Sequence, residues 1–117
     1  MGKFSRDKGK RGERELALFC REHGYPHVKR TAQCRGNTGE AGDLEGLPNI
    51  HIECKRVEKF DLRKSLSQAV HDATAKGTGD LPAVFQRGNN QEWVVVMRAE
   101  DWFKMYREYD ASCILNE

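Results

Sequence analysis

The residues best suited to chemistry lie in one segment, GDLEGLPNIHIECKR, at residues 42–56. The end of this segment alternates between apolar and polar side chains, which is typical of a strand with two different faces. The side chains expected to point into the core are Ile50, Ile52 and Cys54. His51, Glu53 and Lys55 then share the opposite, exposed face. The pattern therefore predicts an acid and a lysine held side by side.

Asp43 precedes that strand, across a turn formed by Leu47, Pro48 and Asn49. A hairpin of this length can bring Asp43 close to Glu53. Two carboxylates chelate Mg²⁺, a hard ion that prefers oxygen ligands and keeps several waters. The metal would polarise a phosphate and lower the pKa of a bound water, and Lys55 would orient that water or offset charge in the transition state. The alternative is a solvent-facing Glu-Lys strand with no chemistry.

Two further polar residues sit among apolar ones. Glu13 continues the stripe of Leu16 and Cys20 on the first predicted helix, and an acid there needs a partner. A metal site is one possibility, and a helix cap or salt bridge is the other. Gln68 lies mid-helix and could reach the phosphate or its waters, or could be an ordinary surface residue.

Basic residues are concentrated in the first third of the chain. Residues 1–40 contain 10 Lys/Arg and 5 Asp/Glu, whereas the net charge of the whole chain is only +2. A basic segment attracts polyanions in a salt-sensitive manner, although charged faces can also be merely solvated. The predicted phosphate-binding set is Lys10, Arg11, Arg14, Lys29, Arg30, Arg35 and Gln68.

Hydrophobic periodicity predicts a mixed α/β domain built on one sheet, in the order α-β-β-β-α-β-β-α. Residues 1–11 are predicted to be a flexible basic arm, and residues 12–117 a single domain. The Gly-rich stretch 32–42 is predicted to be a loop. The predicted helices cover 12–23, 63–76 and 99–109, and the predicted strands lie near Val28 and at 43–47, 50–57, 81–86 and 93–97.

Composition excludes several classes of protein. No apolar run approaches the roughly 20 residues that span a membrane, and no secretory signal is recognisable, so we expect a cytoplasmic protein. The four cysteines, at 20, 34, 54 and 113, form no C-x-x-C pair. A zinc site is therefore not expected, and free thiols in a reducing compartment are.

Taken together, the motifs resemble the PD-(D/E)xK nuclease superfamily, and in particular archaeal-type Holliday junction resolvases and their phage counterparts. The resemblance is carried by E-R-E at 13–15, G-D at 42–43 and I-E-C-K at 52–55. It extends to GKRGERELALFCREHGY at 9–25 and MRAEDWFKMYRE at 97–108. Two departures are a glycine in place of the family's proline before Asp43, and a longer loop between Arg30 and Asp43.

The resemblance implies a restriction-endonuclease-like fold and a set of site residues. The implied metal-site acids are Glu13, Asp43 and Glu53, joined by the backbone carbonyl of Cys54. Lys55 would be the catalytic lysine, and Mg²⁺ the cofactor, with Mn²⁺ as a substitute. Arg14 and Lys29 or Arg30 would bind the DNA backbone.

The expected reaction is hydrolysis by water, leaving 5′-phosphate and 3′-hydroxyl ends as the resemblance implies. A four-way junction has approximate two-fold symmetry, which a homodimer with two active sites would match. The aromatic residues Trp102, Phe103 and Tyr106 could form the dimer face, although core packing is the favoured interpretation of Trp102 and Phe103. The alternatives are a repair or restriction nuclease acting on flaps, ends or duplex, and a DNA-binding module without catalysis.

Overall fold

The structure, a computed structural model, describes residues 3–32 and 42–116. Its element order is the predicted one, α-β-β-β-α-β-β-α. The helices are α1 (Lys3–Glu22), α2 (Leu62–Lys76) and α3 (Ala99–Leu115). The strands are β1 (Lys29–Arg30), β2 (Leu44–Glu45), β3 (Ile50–Arg56), β4 (Leu81–Arg87) and β5 (Val94–Val96).

One mixed five-stranded sheet forms the centre of the fold, with the strand order β1-β2-β3-β4-β5. β3 and β4 run parallel, with Glu53 opposite Val84, and the other neighbouring pairs are antiparallel. Parallel neighbours need a crossover connection, which α2 supplies between β3 and β4. Asp61 caps the start of α2 by accepting a hydrogen bond from the Lys64 amide, and Gly77 ends it in the left-handed conformation.

The helices α1 and α2 cover opposite faces of the sheet. The inner face of α1 packs against Leu44 and Ile52, and this cluster forms the main core. Helix α2 buries Leu66, Ala69 and Ala73. It lies on the other face, where its Asp72 approaches the side chains of β3.

Helix α1 is longer than the sequence predicts. The predicted start at residue 12 rested on the first buried apolar residues, but the helix begins at Lys3. Lysine and arginine are good helix formers, so a helix stabilised by packing can continue into a basic segment with little to bury. Within residues 1–11 the structure is thus helical from Lys3 onward, and the flexibility of this arm stays a prediction. The predicted loop at 32–42 lies almost wholly outside the described residues.

Helix α3 corrects the interpretation of Trp102 and Phe103 as core residues. The two side chains are 47% and 49% exposed, and Asp101 is the one buried residue of α3. The helix follows the edge strand β5, so only its Asp101 and Met105 side faces the domain. Its aromatic residues are consequently left on the surface. Within the described parts of the chain, no helix is long and apolar enough to cross a membrane.

Candidate active site

Asp43 is placed by the hairpin of β2 and β3. Its amide donates to the Ile52 carbonyl at 2.8 Å, and its Oδ2 accepts from the Cys54 amide at 2.7 Å. The preceding Gly42 is buried, and a Cβ there would lie 2.6 Å from the Ile52 carbonyl oxygen. The chain can therefore approach β3 this closely only because residue 42 has no side chain. The predicted hairpin brings Asp43 to β3 as expected.

Glu53 and Lys55 lie on the face of β3 opposite Ile52. The Glu53 side chain is 13% exposed, and Lys55 is exposed at the carboxyl end of the strand. Alternation along β3 thus places the acid and the lysine on one face, as the sequence predicts. The same face is not open to solvent along its whole length, however, because α2 covers part of it. His51, predicted to be exposed, is only 1% exposed.

Glu13 reaches this region from α1. The helix crosses β3 closely at Gly12, where a Cβ would lie 2.5 Å from the Cβ of Arg56. Glu13 Oε1 accepts a hydrogen bond from Arg30 Nε at 2.9 Å, and the Glu13 side chain is 19% exposed. The salt bridge that the sequence left as an alternative is therefore present. The negative charge of Glu13 nevertheless acts on Asp43 and Cys54.

Crowding of the acids changes the pKa of Asp43. Burial, followed by the neighbouring charge of Glu53 and then that of Glu13, raises the pKa of Asp43 to about 7, against the opposing hydrogen bond from the Cys54 amide. The buried carboxylate of Asp43, close to the acids Glu53 and Glu13, belongs to an oxygen-rich donor set of the kind that a hard divalent cation prefers. The residues present therefore fit Mg²⁺ or Mn²⁺. Asp43 and Glu53 would hold the ion, with Glu13 beside them.

Cys54 does not offer a thiolate to such an ion. Burial and the charge of Asp43 raise the pKa of its thiol to about 12, so the sulfur stays protonated at neutral pH. The side chain packs against the core on the α1 side. Any contribution of Cys54 to a metal would come from its backbone carbonyl, as the resemblance implies. The three cysteines among the described residues, Cys20, Cys54 and Cys113, are free thiols.

The predicted phosphate-binding residues fall into two groups. Three exposed basic residues lie on α1: Lys10, Arg11 and Arg14. The others are engaged: Lys29 pairs with Glu45 at 3.8 Å, Arg30 with Glu13, and Gln68 Nε2 donates to Asp72 Oδ1 at 3.0 Å. Arg35 lies outside the described residues.

Sequence reasoning missed two residues beside Glu53. His51 Nε2 lies 2.8 Å from Glu53 Oε1, and one ligand atom each of His51, Glu53 and Asp72 lie within 4.8 Å of one another. The period of two along β3 placed His51 beside Glu53. Predicting its burial would have required placing the crossover helix α2, with Asp72, over this face.

Comparison with protein families identifies the chain. Residues 4–115 match the family described as "Phage putative PDDEXK endonuclease". The chain therefore belongs to this endonuclease family of the PD-(D/E)xK type. Nucleases of this type typically depend on divalent metal ions, which agrees with the crowded acids at Asp43 and Glu53. No curated protein and no solved structure matches the chain.

The raised pKa of Asp43, about 7, predicts how the metal-free protein responds to pH. Since the folded state binds this proton more tightly than the unfolded state, the contribution of Asp43 to stability is fully present below its ordinary pKa of 3.8 and is lost as pH rises through about 7. Asp43→Asn removes the ionisation. Its free energy of unfolding relative to wild type should rise by on the order of 2 kcal/mol between about pH 5 and about pH 8. Urea unfolding in the presence of a chelator measures this difference.

Glu45→Gln is the matched control, because Glu45 is an exposed acid on β2. This variant should keep the wild-type dependence of stability on pH. A difference in free energy of unfolding between Asp43→Asn and wild type that stays constant from about pH 5 to about pH 8 without metal would contradict the raised pKa of Asp43.

Proposed function

We propose that the protein is a Mg²⁺-dependent DNA endonuclease that acts as a homodimer on Holliday junctions, in recombination or repair of phage DNA. The observation that carries the proposal is a buried Asp43 beside Glu53 and Glu13, where burial and the two neighbouring charges raise the pKa of Asp43. The membership in a phage endonuclease family supports the phosphodiester chemistry. The junction substrate rests on the resemblance of the helix around Glu13 and of the motifs at Asp43 and Glu53 to resolvases.

Each residue of the site has a distinct task in this reaction. Asp43 and Glu53, with the Cys54 carbonyl, would hold the ion, which when bound would supply Lewis-acid polarisation of the scissile phosphate and a water of lowered pKa. Lys55 lies on the same strand face as Glu53, where its ammonium group orients the attacking water and offsets charge at phosphorus. Glu13 adds negative charge beside the ion and keeps Arg30 close to the site.

DNA affinity comes from the exposed basic side of α1. Lys10 and Arg14 are one turn apart, so they project from the same side of the helix, and Arg11 is adjacent. Their charges bind phosphates regardless of sequence, which makes the affinity salt-dependent. Glu13 lies between these residues on the same helix. The binding surface therefore continues directly into the acid cluster.

Helix α3 supplies the dimer face. Trp102, Tyr106, Tyr109 and Cys113 recur at intervals of four, three and four residues, which is the spacing of a helix-packing seam. The rings of Trp102 and Tyr106 stack with centroids 5.0 Å apart and planes inclined by 7°. A large apolar helix face exposed on a monomer marks an interaction site.

The side of α3 that carries the seam exposes about half of the area that one partner contributes to a standard interface. Its aromatic side chains are between 42% and 66% exposed: Trp102, Phe103, Tyr106 and Tyr109. With large apolar side chains of about 200 Å² each, they expose on the order of 400 Å². A standard interface buries roughly 800 Å² per partner. A second copy of the chain is a suitable partner, since it would present two acid clusters to the two symmetric strands of a junction.

Nuclease activity is tested with labelled four-way junction, flap, duplex and single-stranded DNA, each with and without Mg²⁺. The wild-type protein should cut the junction in the presence of Mg²⁺ and leave plain duplex largely intact. Lys55→Ala should lower junction cleavage by about 10²-fold or more, because the ammonium group acts on the transition state. Lys59→Ala removes an exposed lysine outside the site and should stay within about threefold of wild type.

The outcomes separate the substrate from the chemistry. Cleavage by Lys55→Ala at the wild-type rate would remove Lys55 from the active site. Equal cutting of duplex and junction would contradict the resolvase proposal and leave the endonuclease in place, whereas preference for flaps would indicate a repair nuclease. Binding of junctions without any cleavage would indicate a DNA-binding module.

The dimer is tested by light scattering after gel filtration at micromolar concentration. Wild type should have twice the 13.4 kDa mass of the chain. Tyr109→Glu places a charge at a residue that is 66% exposed in the single chain, so it should yield folded monomer. Leu18→Glu, at an apolar residue of α1 that is 53% exposed, is the control and should remain a dimer. A monomeric wild type, or a dimeric Tyr109→Glu variant, would contradict α3 as the interface.

A further inference from the structure

His51 is a buried polar residue that the reaction described above does not use. It lies in the middle of the sheet, on β3, and is 1% exposed. Its neighbours across the sheet face come from α2, which buries Asp72 nearby. Burying an imidazole in a 117-residue domain is costly unless its nitrogen atoms have partners. The side chain thus needs an explanation beyond packing.

One nitrogen of His51 has a partner, and that partner is Glu53. The distance from Nε2 to Glu53 Oε1 is 2.8 Å, which is a short hydrogen bond. A carboxylate oxygen accepts hydrogen bonds, so this contact assigns the tautomer of His51 in which Nε2–H is the donor. Among the described residues, Nδ1 has no hydrogen-bond partner. The ring is therefore oriented by its bond to Glu53 and not by a network of its own.

We infer that His51 is a positioning residue that holds the Glu53 carboxylate in the orientation needed to ligate the ion. This inference rests on the proposed metal site. The glutamate side chain has three rotatable bonds, and a fixed donor at Oε1 leaves Oε2 directed away from the imidazole. Groups that hydrogen-bond to a metal ligand commonly change metal affinity when they are removed. Burial of His51 beneath α2 makes the donor rigid.

Asp72 gives a second explanation that the experiment must separate. Its carboxylate lies near His51 and Glu53, and these three residues could by themselves surround a cation. Asp72 Oδ1, however, already accepts hydrogen bonds from Gln68 at 3.0 Å and His71 at 3.3 Å. The direct bond between His51 and Glu53 needs no ion. Positioning therefore accounts for the contacts present.

The experiment measures Mn²⁺ binding by calorimetry, with the full chain and without DNA. His51→Leu removes the donor and should weaken Mn²⁺ binding by about 10- to 100-fold. His51→Gln keeps an N–H donor close to the Nε2 position and should recover most of the affinity. Asp72→Asn should bind Mn²⁺ within about twofold of wild type. Thermal unfolding without metal verifies that each variant is folded.

Junction cleavage provides the second readout. Since His51 acts through Glu53, His51→Leu should need about 10- to 100-fold more Mg²⁺ for half-maximal rate while regaining much of the maximal rate at high Mg²⁺.

The inference would be overturned if folded His51→Leu bound Mn²⁺ with wild-type affinity. It would also be overturned if His51→Gln were folded but bound Mn²⁺ as weakly as His51→Leu does. A large loss of affinity in Asp72→Asn would replace positioning with a cation site at the three residues. Failure of wild type itself to bind Mn²⁺ would overturn the proposed metal site and, with it, this inference.

Discussion

The burial of Asp43 beside other carboxylates is the constraint on which the rest of the structure depends. Burial, followed by the nearby charges of Glu53 and Glu13, raises the pKa of Asp43 to about 7. Burying carboxylates next to one another does not stabilise a fold, because each charge that is removed from water needs a compensating partner. The arrangement makes physical sense if a divalent cation supplies the missing positive charge. In that case the site lowers the stability of the metal-free state.

The scaffold imposes this proximity through backbone contacts rather than through side-chain packing. Asp43 is fixed by two hydrogen bonds to β3, and α1 approaches the same strand because Gly12 has no side chain. On the far side, α2 covers β3 and encloses His51. The hairpin and α2 therefore meet at Glu53, while α1 brings Glu13 close to Asp43. Without these backbone contacts, the three acids could move apart.

Some of this arrangement could be predicted from the sequence. The alternation along β3 placed Ile52 inward and Glu53 with Lys55 outward, and the turn before β3 brought Asp43 alongside. These are local rules with a single geometric solution. Helical phase likewise placed Glu13 next to the buried stripe, but its partner Arg30 lies 17 residues away on β1. Such a contact depends on how α1 crosses the sheet, which local periodicity does not determine.

The errors have a common origin in tertiary packing. Strand alternation alone predicts an exposed His51, whereas the crossover between two parallel strands must cover that face. The apolar side chains of Trp102 and Phe103 favour a core position, yet α3 follows an edge strand and has few neighbouring elements to pack against. The first buried apolar residues predict too late a start for α1, because helix propagation requires no buried residue.

The anomalous scattering of Mn²⁺ in crystals of the protein tests most directly whether Asp43 and Glu53 bind a metal. We expect a strong peak between the carboxylates of Asp43 and Glu53, next to the backbone carbonyl of Cys54. In crystals of Asp43→Asn this peak should weaken or disappear. Absence of any peak at millimolar Mn²⁺ in the wild type, or a peak confined to His51 and Asp72, would contradict metal binding by Asp43 and Glu53.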